Sequence, residues 1–184
     1  MVIKNILILG STRLTELCIK ELEKEYTIVG HVPSTNPTVK GDINLPVVNI
    51  NTSCDLKLSI QYDKMIKNTE KCFNVHTGLL PEYGGTNVLD YAILNKSDEQ
   101  GLTLHKMTER LDYGPIISKI TYPVLEGDTS YDLYKRVIAV GPRFVLSGVK
   151  MLETLTKEEI NKCFSAEPTL YRRGEFEISE EWKI

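Results

Sequence analysis

The residues in this chain best suited to chemistry are Asn74 and His76, in the run Phe73-Asn74-Val75-His76-Thr77-Gly78-Leu79-Leu80-Pro81, and Asp112, in Leu111-Asp112-Tyr113-Gly114-Pro115. An amide, an imidazole and a carboxylate can together move an acyl group without a serine or cysteine nucleophile. The amide offers a neutral N–H to an oxygen that turns negative as an amine attacks a carbonyl carbon, and losing one such donor raises the barrier by about 2.7–4 kcal/mol. The imidazole titrates near neutrality, so it can take the amine's proton or, when charged, support that oxygen. The carboxylate can fix the imidazole tautomer and relay the amine proton through water.

These side chains meet only if strands deliver them to one place. Asn74 and His76 are two positions apart, which on a strand puts both on one face. Residues 3–9 form an apolar run ending in Gly10-Ser11-Thr12, and Leu14, Leu17, Cys18 and Leu22 then recur at helical spacing. Residues 26–32 read as a second buried strand, so the opening is a βαβ unit with parallel strands and a right-handed crossover. Residues 33–44 read as a loop, 46–50 as a short strand, and 56–62 and 71–75 as central strands. An amphipathic helix is expected over 85–94, after the Gly84-Gly85 turn. Strands over 102–107 and 116–124 bracket the Asp112 loop. A long helix is expected over 129–155, bent at Gly141-Pro142, where proline removes a backbone donor.

The expected fold is therefore α/β: a Rossmann-like, doubly wound, mostly parallel sheet with helices on both faces. His76 follows a strand's carboxyl end, where open α/β sheets form their ligand crevices. The segment between Val32 and Leu56 is abbreviated, which would thin one wall of the sheet. Residues 1–184 read as one catalytic domain, with a short C-terminal extension from about 156 ending in a surface segment or hairpin.

The 184 residues suit one domain, and 41% apolar with 26% charged residues is ordinary globular material. No stretch approaches a membrane span, and the N-terminus reads as a strand rather than a signal peptide, so a cytoplasmic protein is expected. Cys18, Cys54, Cys72 and Cys163 lack metal-ligand spacing and read as reduced thiols, with no metal expected. Net charge is −3, from 22 basic and 25 acidic residues, with no basic stripe, which argues against nucleic acid as a partner.

Taken together, the Asn-x-His and Leu-Leu-Pro turn, then Thr103-Leu104-His105-Lys106-Met107 and Asp112-Tyr113-Gly114-Pro115-Ile116, resemble the formyltransferases that use 10-formyltetrahydrofolate. The matching stretch runs from about residue 56 to 124, with both halves in order and spacing. The resemblance implies that Asn74, His76 and Asp112 are the catalytic trio and that 10-formyltetrahydrofolate is the co-substrate. Ser59-Ile60-Gln61-Tyr62-Asp63-Lys64-Met65-Ile66 looks like the segment that holds the pterin in sugar-nucleotide N-formyltransferases. By that likeness Gln61, Tyr62, Met65, Ile66, Tyr113 and Gly114 would bind the folate. Gly78, Leu79, Tyr83, Gly84 and Gly85 would then bind the substrate. Core packing is the plain alternative for Tyr62 and Met65.

The implied reaction is formylation of a nucleotide-linked amino sugar of the dTDP-4-amino-4,6-dideoxyglucose type, by a homodimer. Glycinamide ribonucleotide formylation is an alternative, and so is a catalytically idle relative that binds folate or nucleotide. Many relatives carry Arg-Gly where this chain has Gly84-Gly85, and a small or aromatic pair where it has Asn87 and Tyr91. His105 reads as a hydrogen-bonded core histidine, with support of the Asp112 loop as its functional alternative. His31 reads as structural, and Arg172-Arg173 as an exposed charge pair or a diphosphate grip.

Overall fold

The opening apolar run forms β1 (Asn5–Leu9), and the helical spacing behind it forms α1 (Arg13–Leu22). Thr12 caps that helix by accepting the Thr15 backbone N–H on its hydroxyl. There follow β2 (Thr27–Val32), β3 (Leu56–Ile60), β4 (Cys72–His76), β5 (Gly84–Gly85), α2 (Val88–Leu94), β6 (Glu99–Lys106), β7 (Ile116–Pro123), α3 (Ser130–Thr154), α4 (Lys157–Lys162) and β8 (Leu170–Tyr171). The computed structural model describes residues 2–35, 37 and 39–172. Arg173 and the rest of the expected surface segment or hairpin lie outside the described residues.

Six strands form one sheet in the order β2-β1-β3-β4-β6-β7, with β2, β1, β3 and β4 parallel and β6 and β7 antiparallel. The mostly parallel sheet is thus as expected, and period-two alternation sorts its side chains into two unlike faces. Ile6, Ile8, Leu58, Phe73, Val75, Leu102 and Leu104 meet Leu14 and Cys18 of α1, Leu89 of α2, and Val137 and Val149 of α3. Each such buried aliphatic side chain contributes roughly 1.5–3 kcal/mol. α3 lies close because Gly141 and Gly148 leave room for Leu14 and Leu104, and it runs uninterrupted through Pro142.

The opposite face carries Leu7, Leu9 and Cys72, covered by Ile66 and by Val48, Ile50, Cys54, Tyr62 and Met107 from connecting segments. Here the structure departs from the expectation of helices on both faces: among the described residues the helices that join the core share the first face. The reason is local. Residues 33–55 and 61–71, which cross between parallel strands, lack a 3.6-residue apolar repeat, and the described residues among them form no helix. Asn74 and His76 point to this helix-free face, so the thin wall expected from the abbreviated 33–55 segment borders the chemistry.

Three boundaries also move. The expected strand at 46–50 is reduced to one bridge between His31 and Val47, held by His31 N–H to the Pro46 carbonyl (2.9 Å). β3 stops at Ile60 because Gln61 takes a left-handed backbone, φ 53°. The helix expected from 85 starts at Val88, since Gly84-Gly85 instead pairs in parallel with Leu170-Tyr171.

Candidate active site

β4 and β6 run antiparallel with Asn74 directly opposite His105 and His76 opposite Thr103. This register sets the site. Asn74 Nδ2 and His105 Nε2 are 3.1 Å apart, and His105 Nδ1 lies 3.2 Å from the Lys106 carbonyl. A carbonyl can only accept, so Nδ1 carries the proton, and Nε2 accepts from the Asn74 amide. One amide N–H of Asn74 is thereby tied down, and its amide plane is fixed with the second N–H left for the cleft.

His76, also buried, is held by its other side. Its Nε2 donates to the Tyr83 carbonyl at 2.6 Å, and its Nδ1 lies 3.8 Å from Asp112 Oδ2. The expectation that Asp112 fixes the His76 tautomer therefore needs correction. At 3.8 Å the carboxylate is beyond hydrogen-bond length, and the Tyr83 backbone does that work. Asp112 instead supplies negative charge between two imidazoles, with Oδ1 3.7 Å from His105 Nε2. It is buried, has φ 49°, and accepts the Gly85 backbone N–H on Oδ2 at 2.7 Å. A non-glycine residue in that region is strained by about 1–3 kcal/mol, tolerated where the surroundings hold it.

Burial pushes His105 down from 6.5 to about 4, against the pull of the Asp112 charge. His105 is thus neutral near pH 7, as acceptance from Asn74 requires. The folded-state value is depressed, so protonation favours the unfolded chain, and stability falls as pH drops from 6.5 towards 4. Urea unfolding at pH 7 and pH 4.5 is expected to show this loss in the parent, with a flatter dependence in His105→Gln; equal slopes would remove His105 as the cause.

The trio opens into a cleft of about 420 Å³ at the carboxyl ends of β1, β3 and β4. Among the expected folate residues, Gln61, Tyr62, Met65 and Ile66 line it. Met65 is 63% exposed at its mouth, whereas Ile66 is buried and the Tyr62 ring packs on the helix-free face. Tyr113 and Gly114 do not line it: the Tyr113 ring sits 4.1 Å from the Arg110 guanidinium, and Gly114 abuts the Lys106 carbonyl.

Of the expected substrate residues, Gly85 lines the cleft and Gly78, Leu79, Tyr83 and Gly84 do not, although the Tyr83 carbonyl holds His76 from behind. A Cβ on Gly78 would lie 2.9 Å from His76 Nε2. Leu79 N–H donates to Gln100 Oε1 (2.9 Å), and Leu80 N–H to Thr103 Oγ1 (3.1 Å), so β6 anchors this turn.

Sequence reasoning missed Thr12, Val88, Leu89, Met107, Thr108 and Leu111 in the lining. Thr12 donates its hydroxyl proton to Gln61 Oε1 at 2.8 Å, coupling the first strand-to-helix turn to the cleft. Its signal was present, because Thr12 lies just past a parallel strand's carboxyl end, where such crevices open. The four cysteines are free, and no helix among the described residues is long and apolar enough to cross a membrane.

Residues 59–149 match the family model described as Formyl transferase. The chain is 37% identical over 90 residues to the bifunctional polymyxin resistance protein ArnA of Wigglesworthia glossinidia brevipalpis, covering 49% of this chain and 13% of that protein. It is 30% identical over 135 residues to a methionyl-tRNA formyltransferase of Borreliella burgdorferi, covering 70% and 43%. The chain thus spans less than half the length of these relatives. The fold is that of an N-formyltransferase from Helicobacter canadensis, solved with folinic acid and dTDP-3-aminofucose, at TM-score 0.77 and 21% identity, over 96% of this chain and 73% of that one.

Proposed function

We propose, from the match of residues 59–149 to the formyl transferase family model, that the protein transfers the formyl group of 10-formyltetrahydrofolate to the amine of a nucleotide-linked amino sugar, of the dTDP-4-amino-4,6-dideoxyglucose type. The observation that carries the transfer chemistry is the convergence of Asn74, His76 and Asp112, from two separate chain segments, at the base of one cleft. The fold likeness to a solved enzyme holding a dTDP-amino sugar supports the acceptor. Through the resemblance the proposal extends to a homodimer in the cytoplasm.

The cleft suits such a donor. Ile66, Met107, Leu111 and Val88 give apolar walls for a flat ring system, beside the polar turn at Gln61. When bound, 10-formyltetrahydrofolate supplies an activated carbonyl carbon. The chain's own part is electrostatic. Asn74, with one N–H tied to neutral His105, directs the other at the carbonyl oxygen. His76, its Nε2 committed to Tyr83, keeps Nδ1 as the position that gains or gives a proton. The Asp112 carboxylate lies 3.8 Å from that nitrogen, close enough to act on the charge there as negative charge builds on the oxygen. Asp112 can also take the amine's proton through a water.

A second acceptor is favoured by one observation, the identity to methionyl-tRNA formyltransferases over 70% of the chain. The net charge of −3 without a basic stripe weighs against a tRNA acceptor. The protein is to be incubated with 10-formyltetrahydrofolate and, separately, a dTDP-4-amino-4,6-dideoxyhexose, glycinamide ribonucleotide and methionyl-tRNA, with product mass followed. Formyl gain on the amino sugar is expected. Gain on another amine alone would replace the acceptor, and no gain on any would overturn the transfer reaction.

A further inference from the structure

The two restraints on the candidate trio that come from backbone groups sit within three residues of each other: the Tyr83 carbonyl on His76 and the Gly85 N–H on Asp112. That stretch is β5, a two-residue strand, and its partner is β8. Gly84 N–H donates to the Thr169 carbonyl and Thr86 N–H to the Tyr171 carbonyl, each at 2.9 Å. The approach is close enough that a Cβ on Gly85 would run into the Tyr171 carbonyl, which explains why glycine with φ 88° stands there. So short a ladder is marginal by itself. Side chains therefore have to hold it. The Tyr171 ring stacks on Tyr83 with centroids 5.5 Å apart and meets Tyr91 at 4.3 Å, while its hydroxyl accepts from Asn95 Nδ2 at 2.9 Å.

The same C-terminal segment also touches the other half of the site. Glu167 pairs with Arg110, two residues before Asp112; Thr169 N–H donates to the Pro81 carbonyl (2.8 Å); and the Phe164 carbonyl accepts from Ile116 N–H (2.8 Å). Residues 164–172 thus run as a strap across the turn that holds His76 and the loop that carries Asp112. They lie beyond the segment that matches the family model, residues 59–149.

We propose that Tyr171 is a positioning residue: docked on Tyr83 and Tyr91, it pins β5 so that the Tyr83 carbonyl and the Gly85 N–H hold His76 and Asp112 in register. It lines no part of the cleft and touches no reacting atom. The catalytic consequence rests on the formyl transfer reading, whereas the positioning itself does not.

The test uses the full chain with Tyr171→Ala and Tyr171→Phe. Two readouts are taken: the His76 imidazole titration followed by NMR, which needs no turnover, and kcat and KM for formyl transfer. A displacement of about an ångström in a catalytic group can slow a reaction 10²-fold, so Tyr171→Ala is expected to lower kcat at least ~10-fold and move the His76 midpoint. KM for the folate should stay within about twofold of the parent, because no strap residue lines the cleft beside Gln61 and Ile66. Tyr171→Phe keeps the ring contacts and is expected to restore both values. A folded Tyr171→Ala protein whose His76 midpoint is unmoved overturns the proposal. Should that variant fail to fold, Tyr91→Ala removes one ring contact and is read by the same two outcomes. If the parent transfers formyl to no amine, the activity reading has failed, while the His76 titration still decides the role of Tyr171.

Discussion

His76→Ala is expected to lower kcat for formyl transfer by about 10³-fold, with KM for the folate little changed, because a positioned acid–base group contributes 10²–10⁴-fold. The imidazole is held for one task. Its Nε2 is spent on the Tyr83 carbonyl at 2.6 Å, so Nδ1 faces Asp112 and the cleft. The loss should fall on kcat, since the carbonyl oxygen needs charge support only as it turns negative. Steady-state kinetics with circular dichroism as a folding control would check this. In a catalytically idle relative the same change would alter stability and leave formyl transfer at the same background.

Asp112→Asn is expected to lower kcat by about 10²–10³-fold while leaving the loop in place, as removal of one preorganised electrostatic group does. The asparagine oxygen can still accept the Gly85 N–H, so the 2.7 Å bond that positions the loop survives. What disappears is the negative charge 3.8 Å from His76 and 3.7 Å from His105. Without it the hydrogen bonds of the site remain and the charge beside the two rings is gone. His76→Ala combined with Asp112→Asn should be scarcely worse than His76→Ala alone, because the two act as one unit. Multiplicative losses would show that Asp112 works independently of His76.

The shared face of Asn74 and His76 was legible in the sequence because strand alternation depends on position alone: with Phe73 and Val75 committed to the core, their neighbours must point the other way. The crevice was legible for a similar reason, as parallel strands joined by crossovers leave their carboxyl ends open. Chain crossings were less so. Residues 33–44 could be seen as a loop, but which face the crossings at 33–55 and 61–71 would cover could not, and the helix-free face beneath the site emerged only from packing.

His105 marks the boundary most sharply. Its burial was expected, yet its bond to Asn74 depends on the register of β4 against β6, and a slip of one residue would turn its side chain to the other face. The turn at Gly84-Gly85 was noticed for a missing arginine, whereas its form follows from the Tyr171 backbone 86 positions on from Gly85.

By itself, then, the sequence determined the main strands and helices of the sheet and the placement of Asn74 and His76 on one face, while Asp112 as their partner is what the family resemblance implies. The first two follow from local periodicity. Only the tertiary structure decided that the Tyr83 carbonyl sets the His76 tautomer, that neutral His105 orients Asn74, and that Gly85 and Tyr171 hold Asp112 and β5 in place. A backbone carbonyl or N–H has no residue-type signature, and its role exists only once distant segments are brought within hydrogen-bond length.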